Sequence, residues 1–122
     1  MSKLSIIIPV FNEETFIVQV LKNIQAVRLD LHIEKLTSDH SSLSAFEKLT
    51  LQLQTLEKYL DLAVAHRQPS MIVIHGLGTG KLRDEVHEIL RMRRDVKSFI
   101  NRYHSAYGYG ATEVFFQLRY SG

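Results

Sequence analysis

Apolar and polar positions change period several times along the chain. Leu4 to Val10 is a nearly continuous apolar run containing Pro9, and Asn12-Glu13-Glu14 closes it; this reads as a strand. Thr15 to Ile24 carries Ile17, Val20, Leu21 and Ile24 at helical spacing. From Arg28 to Ile33 the period drops to two. Leu29, Leu31 and Ile33 fall on one face and Asp30 and His32 on the other, as in a half-exposed strand. The polar stretch Thr37 to Ser44 reads as a loop. Ser44 and Glu47 then have capping-box spacing and predict a helix start. Behind them Phe46, Leu49, Leu53, Leu56, Leu60 and Ala63 follow a 3,4,3,4,3 spacing. A stripe of this kind reads as a core-facing helix side ahead of a coiled-coil seam.

His66 to Ser70, with Pro69, ends that helix and leads to a second short strand, Met71 to Ile74. Three alternating glycines follow, and Leu82, Val86 and Leu90 predict a helix over Leu82 to Arg91. Val96 to His104 has a weak strand pattern, and Tyr107-Gly108-Tyr109-Gly110 reads as a turn. Thr112 to Tyr120 reads as a strand with Val114, Phe116 and Leu118 on one face. The predicted core is β-α-β-α-β-β, an α/β two-layer sandwich with helices covering a small mixed sheet.

With 122 residues, 45% of them apolar, the chain fits one compact domain. No run approaches the roughly 20 apolar residues that span a bilayer. Ser5 to Phe11 lacks the basic flank and small-residue cleavage site of a signal peptide. The chain has no cysteine, which excludes disulfides and thiolate metal sites and makes a cytoplasmic location the default. The net charge of +2 is unevenly spread. Residues 1–66 hold six Lys/Arg against eight Asp/Glu, and residues 67–122 hold nine against five. The basic excess lies with the glycines and suggests an anionic partner there.

Those glycines sit in His75-Gly76-Leu77-Gly78-Thr79-Gly80-Lys81-Leu82-Arg83. The segment is not a Walker A loop, because Lys81 is followed by Leu82 and the four-residue gap is missing. Nor is it a dinucleotide fingerprint, because Gly76-x-Gly78-x-Gly80 lacks the required spacing. What remains is a strand-to-helix loop with unhindered N–H groups and two cations, suited to a phosphodiester. Asp30-Leu31-His32 is a second candidate. On a strand its carboxylate and imidazole share a face, and the carboxylate can fix the imidazole's tautomer for general-base work. The ordinary reading of that spacing is a solvated pair. Asp84, Glu85, His87 and Glu88 crowd one helix without a metal-ligand pattern and read as a solvated face. Tyr103, Tyr107 and Tyr109 read first as core-edge aromatics and second as a stacking surface for unpaired bases.

Taken together, these segments resemble the Smr (small MutS-related) domain family. Leu29-Asp30-Leu31-His32 matches its first signature, and His75-Gly76-x-Gly78-x-Gly80-x-Leu82-Arg83 matches its second. Gly108-x-Gly110-Ala111-Thr112-x-Val114 resembles its third. The three occur in the family's order over roughly residues 28–118. One departure is Ile33, where the family's first motif continues with glycine; a β-branched residue there is expected to change the strand exit and narrow access to His32.

The resemblance implies a fold like the C-terminal domain of translation initiation factor three. It implies binding to DNA or RNA, with nicking endonuclease or ribonuclease activity in several members, some acting on ribosome-bound messenger RNA. It ties Asp30, His32, His75 and Arg83 to activity or binding. The phosphate would rest on Gly76, Gly78, Thr79, Gly80, Lys81 and Arg83, with Gly108 and Gly110 alongside. His32, oriented by Asp30, is the candidate for one proton transfer, and His75 for the other or for a phosphate contact. An RNA 2′-hydroxyl nucleophile would require no cofactor or metal, and magnesium stimulation is a matter for assay. Two alternatives stand beside the nuclease: a non-cleaving nucleic-acid or ribosome-associated module of a larger protein, and a scaffold that forms a homodimer. No membrane partner is expected.

Residues 4–14 also resemble the opening strand and turn of family 2 glycosyltransferases. No Asp-x-Asp metal motif follows, and the remaining length is too short for such an enzyme. The expected organisation is an N-terminal extension over 1–26, added to the core or left from a preceding domain, and an Smr domain over 27–122.

Overall fold

The computed structural model describes residues 6–7 and 27–117. The expected helix over Thr15 to Ile24, most of the Leu4 to Val10 strand, and Leu118 to Tyr120 lie outside the described residues. Among the described residues, five strands form one sheet in the order β1-β2-β3-β5-β4. They are β1 (Ile6–Ile7), β2 (Val27–Asp30), β3 (Ser70–Ile74), β4 (Val96–Ile100) and β5 (Ala111–Phe116). β1, β2 and β3 run parallel, and β5 lies antiparallel to both β3 and β4. The sheet is mixed, as the sequence pattern predicts.

Two long helices make the connections, α2 (Ala45–Ala65) between β2 and β3 and α3 (Lys81–Met92) between β3 and β4. α2 begins where the capping box predicts. Ser44 Oγ accepts from the Glu47 amide at 3.1 Å, and Glu47 Oε1 accepts from the Ser44 amide at 2.8 Å. The Ser44 amide first, and then the Ser44 hydroxyl, hold the Glu47 carboxyl below its usual range. The stripe of α2 turns to the sheet through Leu56, Leu60 and Ala63, and Tyr59, which the 3,4 pattern skips, is fully buried beside them. Tyr59 lies three residues from both Leu56 and Leu62 on a buried band wider than a strict seam. At the other end of the stripe Phe46 is 76% exposed, so it is not part of the core. The core joins this helix to Leu29, Leu31, Met71, Val73, Val86, Leu90 and Val114, all nearly or fully excluded from solvent.

The strand expected over 28–33 ends earlier. Its alternation continues through Leu31, whose amide donates to Ile74 O at 2.9 Å. Ile33 then opens a short helix, α1 (Ile33–Leu36), instead of extending the strand. The reason is packing. Ile33 lies against the core and Leu36 is buried, so a helical turn places two apolar side chains inward where an extended chain would place one. Ile33 packs against the core, and the His32 side chain before it is 44% exposed.

The β2–β3 register pairs Asp30 with Ile74, and the β3–β5 register pairs Ile74 with Ala111. The ends of all three signature segments thus arrive at one edge, the carboxyl end of the parallel strands. Open α/β sheets place their ligands at such an edge.

Candidate functional site

Asp30 is the last residue of β2, and His32 follows it after one buried leucine. Asp30 Oδ1 lies 2.7 Å from His32 Nδ1 and accepts from the His32 amide at 2.9 Å. A carboxylate only accepts, so the geometry places the imidazole proton on Nδ1 and leaves Nε2 with its lone pair. The Asp30 side chain is 13% exposed, so the pair is half-buried and not the solvated pair that the spacing alone suggested. Gln52 of α2 donates to Leu31 O at 2.9 Å and anchors the residue between them.

His32 Nε2 reaches the glycine loop. A Cβ built on Gly76 would lie 2.8 Å from it, and Gly76 has φ +79°. Gly76 is glycine for two reasons, a left-handed backbone and the imidazole against it. Gly110 closes the other side. Its carbonyl accepts from the amides of His75 and Gly76 at 3.0 and 2.8 Å, and a Cβ on it would meet Gly76 Cα at 3.2 Å. The first, second and third signature segments therefore converge on Gly76. Gly108 lies farther along the same turn, at φ +57° with open space around it. That turn is tied to β2 by Arg28, which donates to the Tyr107 hydroxyl at 3.0 Å. Tyr103 and Tyr109 are exposed and meet edge to face at 5.6 Å.

Within the loop, the Gly76 amide is bound to Gly110 O and the Gly80 amide to Leu77 O. Of the loop residues expected at a phosphate, Gly76 and Gly80 thus have their amides engaged within the chain. Among the described residues, the amides of Leu77, Gly78 and Thr79 donate no hydrogen bond. Thr79 Oγ1 accepts from the Lys81 amide at 3.3 Å. Lys81 Nζ pairs with Glu85 at 3.2 Å on the surface. The Arg83 guanidinium lies over Gly80 and contacts Asp84 at 3.2 Å.

His75 differs from His32. It is 6% exposed, and both ring nitrogens are engaged. Nδ1 lies 2.9 Å from Gly76 O, which only accepts, so Nδ1 carries the proton. Nε2 then accepts from Thr112 Oγ1 at 2.8 Å. Thr112 has one proton to give, so His87 Nε2, at 2.8 Å from the same hydroxyl, donates to it. The chain of bonds runs from His87 through Thr112 to His75 and the loop. Burial first, then the charge of Arg83 and that of His32 when it is protonated, depress the His75 pKa, against a raising contribution from the Gly76 carbonyl. Burial likewise depresses His87, aided by His75, Arg91 and Arg83 and opposed by Asp84. Sequence reading placed His87 on a solvated charged face and gave Thr112 no role of its own. Their meeting depends on the packing of α3 over β5, which leaves no local signal.

A groove of about 550 Å³ runs beside the loop, between its residues 75–80 and the first turns of α2. A larger cavity, about 600 Å³, lies at the opposite end of the strands around Arg93, Asp95 and Gln117. There Arg93 forks between Asp61 and Asp95, both at 2.7 Å, and ties α2 to the β4 entrance. No cluster of His, Asp and Glu suited to a metal occurs among the described residues. No helix among them is long and apolar enough to cross a membrane.

The family model of the Smr domain matches residues 48–117. The chain belongs to the Smr domain family. Endonuclease MutS2 of Lacticaseibacillus casei strain BL23 is 38% identical over 71 residues, which is 58% of this chain and 9% of that protein. Endonuclease MutS2 of Lactiplantibacillus plantarum is 40% identical over 62 residues, 51% of this chain and 8% of that protein. The chain thus spans less than a tenth of the length of these curated relatives. The crystal structure of the Smr domain of Thermus thermophilus MutS2 superposes with a TM-score of 0.56 at 26% identity, covering 74% of this chain and 96% of that one. The Smr match takes in the second and third signature segments, and Asp30-Leu31-His32 lies ahead of it.

Proposed function

We propose that this Smr domain is an endonuclease that cleaves phosphodiester bonds of RNA or DNA. The observation that carries the reading is the 2.7 Å Asp30–His32 contact, with the free Nε2 of His32 facing Gly76 at the loop entrance. In this reading His32 Nε2 takes the proton of the attacking oxygen, an RNA 2′-hydroxyl or a water. Asp30 holds the tautomer and stabilises the imidazolium that forms. The amides of Leu77, Gly78 and Thr79, with Lys81 and Arg83, hold the phosphate as charge builds on its oxygens. The P–O bond to the leaving sugar oxygen then breaks, its electron pair goes with that oxygen, and the oxygen takes a proton from solvent water. His75, with both nitrogens engaged, shapes the loop and transfers no proton. We also propose the domain boundary near residue 27, which limited proteolysis checks by the N-terminus of the resistant core.

The test uses labelled single-stranded RNA, duplex DNA and branched DNA, with and without magnesium. His32→Ala is expected to remove cleavage and retain binding. Arg83→Ala is expected to weaken binding and lower the slope of log affinity against log salt by about 1. Undiminished cleavage by His32→Ala overturns the assignment of the base. Binding that is flat across salt overturns the nucleic-acid reading, and binding without cleavage leaves a recognition module.

A further inference from the structure

The groove beside the glycine loop has features that phosphate binding alone does not call for. Phe46, the second residue of α2, is 76% exposed, and Leu77, at the tip of the loop, is 63% exposed. Both line the same groove of about 550 Å³, with Leu49 behind them. Lys81 and Arg83 line it too, together with the loop backbone. One region is thus apolar and aromatic, and its neighbour is cationic with open amides. The volume falls in the range of small-ligand sites, about 300–1,000 Å³.

We infer that this groove seats one unpaired nucleobase, against Phe46 and Leu77, next to the phosphate held by the loop, so that the domain selects single-stranded over duplex substrate. The inference rests on the phosphodiester reading above and adds the identity of the neighbouring group. A nucleotide joins an anionic phosphate to a flat, weakly polar base through one sugar, which matches the juxtaposition in the groove. The phenylalanine ring offers a stacking face that accepts any base. A base inside a duplex has both faces stacked and its edge paired, and reaching the groove would cost its unstacking. Continuity also favours this occupant over a peptide: the groove opens directly onto Gly76, where the three signature segments meet.

The test compares the full chain with Phe46→Ala and Phe46→Trp. Binding is measured by fluorescence anisotropy to three labelled probes of about ten nucleotides: oligothymidylate, an abasic strand of the same backbone, and a duplex. Phe46 is exposed, and circular dichroism checks that each variant is folded. The parent is expected to bind oligothymidylate about five- to tenfold more tightly than the abasic strand or the duplex. Phe46→Ala is expected to remove that preference without changing abasic binding, and Phe46→Trp to restore it. Equal binding of oligothymidylate and abasic strand by the parent overturns the inference and leaves the phosphodiester reading standing. A preference that survives Phe46→Ala also overturns it. No binding of any probe overturns both.

Discussion

His32 Nε2 occupies the space that a side chain on Gly76 would need, 2.8 Å from the built Cβ position. The two residues lie 44 positions apart in sequence, and their contact joins the carboxylate–imidazole pair to the glycine loop. Gly76→Ala therefore meets two obstacles, the φ of +79° and the imidazole. Gly78→Ala meets the backbone obstacle alone, at φ +42° with no atom within 4 Å. Both variants are expected to lose about 1–2 kcal/mol from the left-handed backbone. Only Gly76→Ala should also displace His32 and reduce cleavage strongly. Urea denaturation and a cleavage assay on the pair of variants separate the two effects, and equal loss of cleavage would show that the His32–Gly76 contact does not support cleavage.

Thr112 is buried with its hydroxyl shared between two imidazoles. Thr112→Val keeps the shape and leaves His75 Nε2 without its donor and His87 Nε2 without its acceptor. The expected cost is about 1–3 kcal/mol in unfolding free energy. Thr112→Ser keeps the hydroxyl and should recover most of it. The nitrogen chemical shifts of the two rings report their tautomers directly; unchanged shifts in Thr112→Val would contradict the bond assignment.

The same two rings make stability depend on pH. Both are depressed below the ordinary imidazole value of 6.5, in each case mainly by burial. Below 6.5 the unfolded chain takes up protons at these positions while the folded chain still resists them. The unfolded state then holds more protons, so stability rises with pH through this window. The contribution is complete above 6.5 and declines as the pH falls towards the lowered folded-state values. Urea midpoints measured from about pH 5 to 8 should fall on the acid side, and the double variant His75→Gln, His87→Gln should show a flatter profile. An identical acid slope in that variant would place the sensitivity elsewhere.

Ser44→Ala removes the oxygen that caps α2. The loss expected is about 0.5–2 kcal/mol, with Ser44→Asp retaining most of the stability. Because the first turn of α2 carries Phe46, fraying there should also weaken oligothymidylate binding. Thermal denaturation beside the anisotropy measurement tests both consequences, and full stability in Ser44→Ala would show that packing alone holds this end.

The elements were legible wherever a local rule governs them. The capping box at Ser44 and Glu47, the strand at Met71 to Ile74 and the helix after the glycines depend on neighbours a few residues apart, and they stand where the pattern puts them. The helical turn at Ile33 was not legible, because an isoleucine after alternating residues is equally consistent with another strand position. It turns because the core beneath it accepts Ile33 and Leu36.

From the sequence alone came the order of elements, the three signature segments and the carboxylate–imidazole and glycine-loop candidates. Each is written in spacing, and spacing is preserved in a linear chain. The tertiary structure decided what those candidates touch. It set His32 against Gly76, closed the loop with Gly110, and buried His75 on Thr112 and His87. It also left Phe46 in solvent and Leu49 beside the groove, at the end of a stripe whose later residues are core. These outcomes depend on strand register and on how far a helix extends past the sheet it covers, and both are settled by contacts between residues distant in sequence.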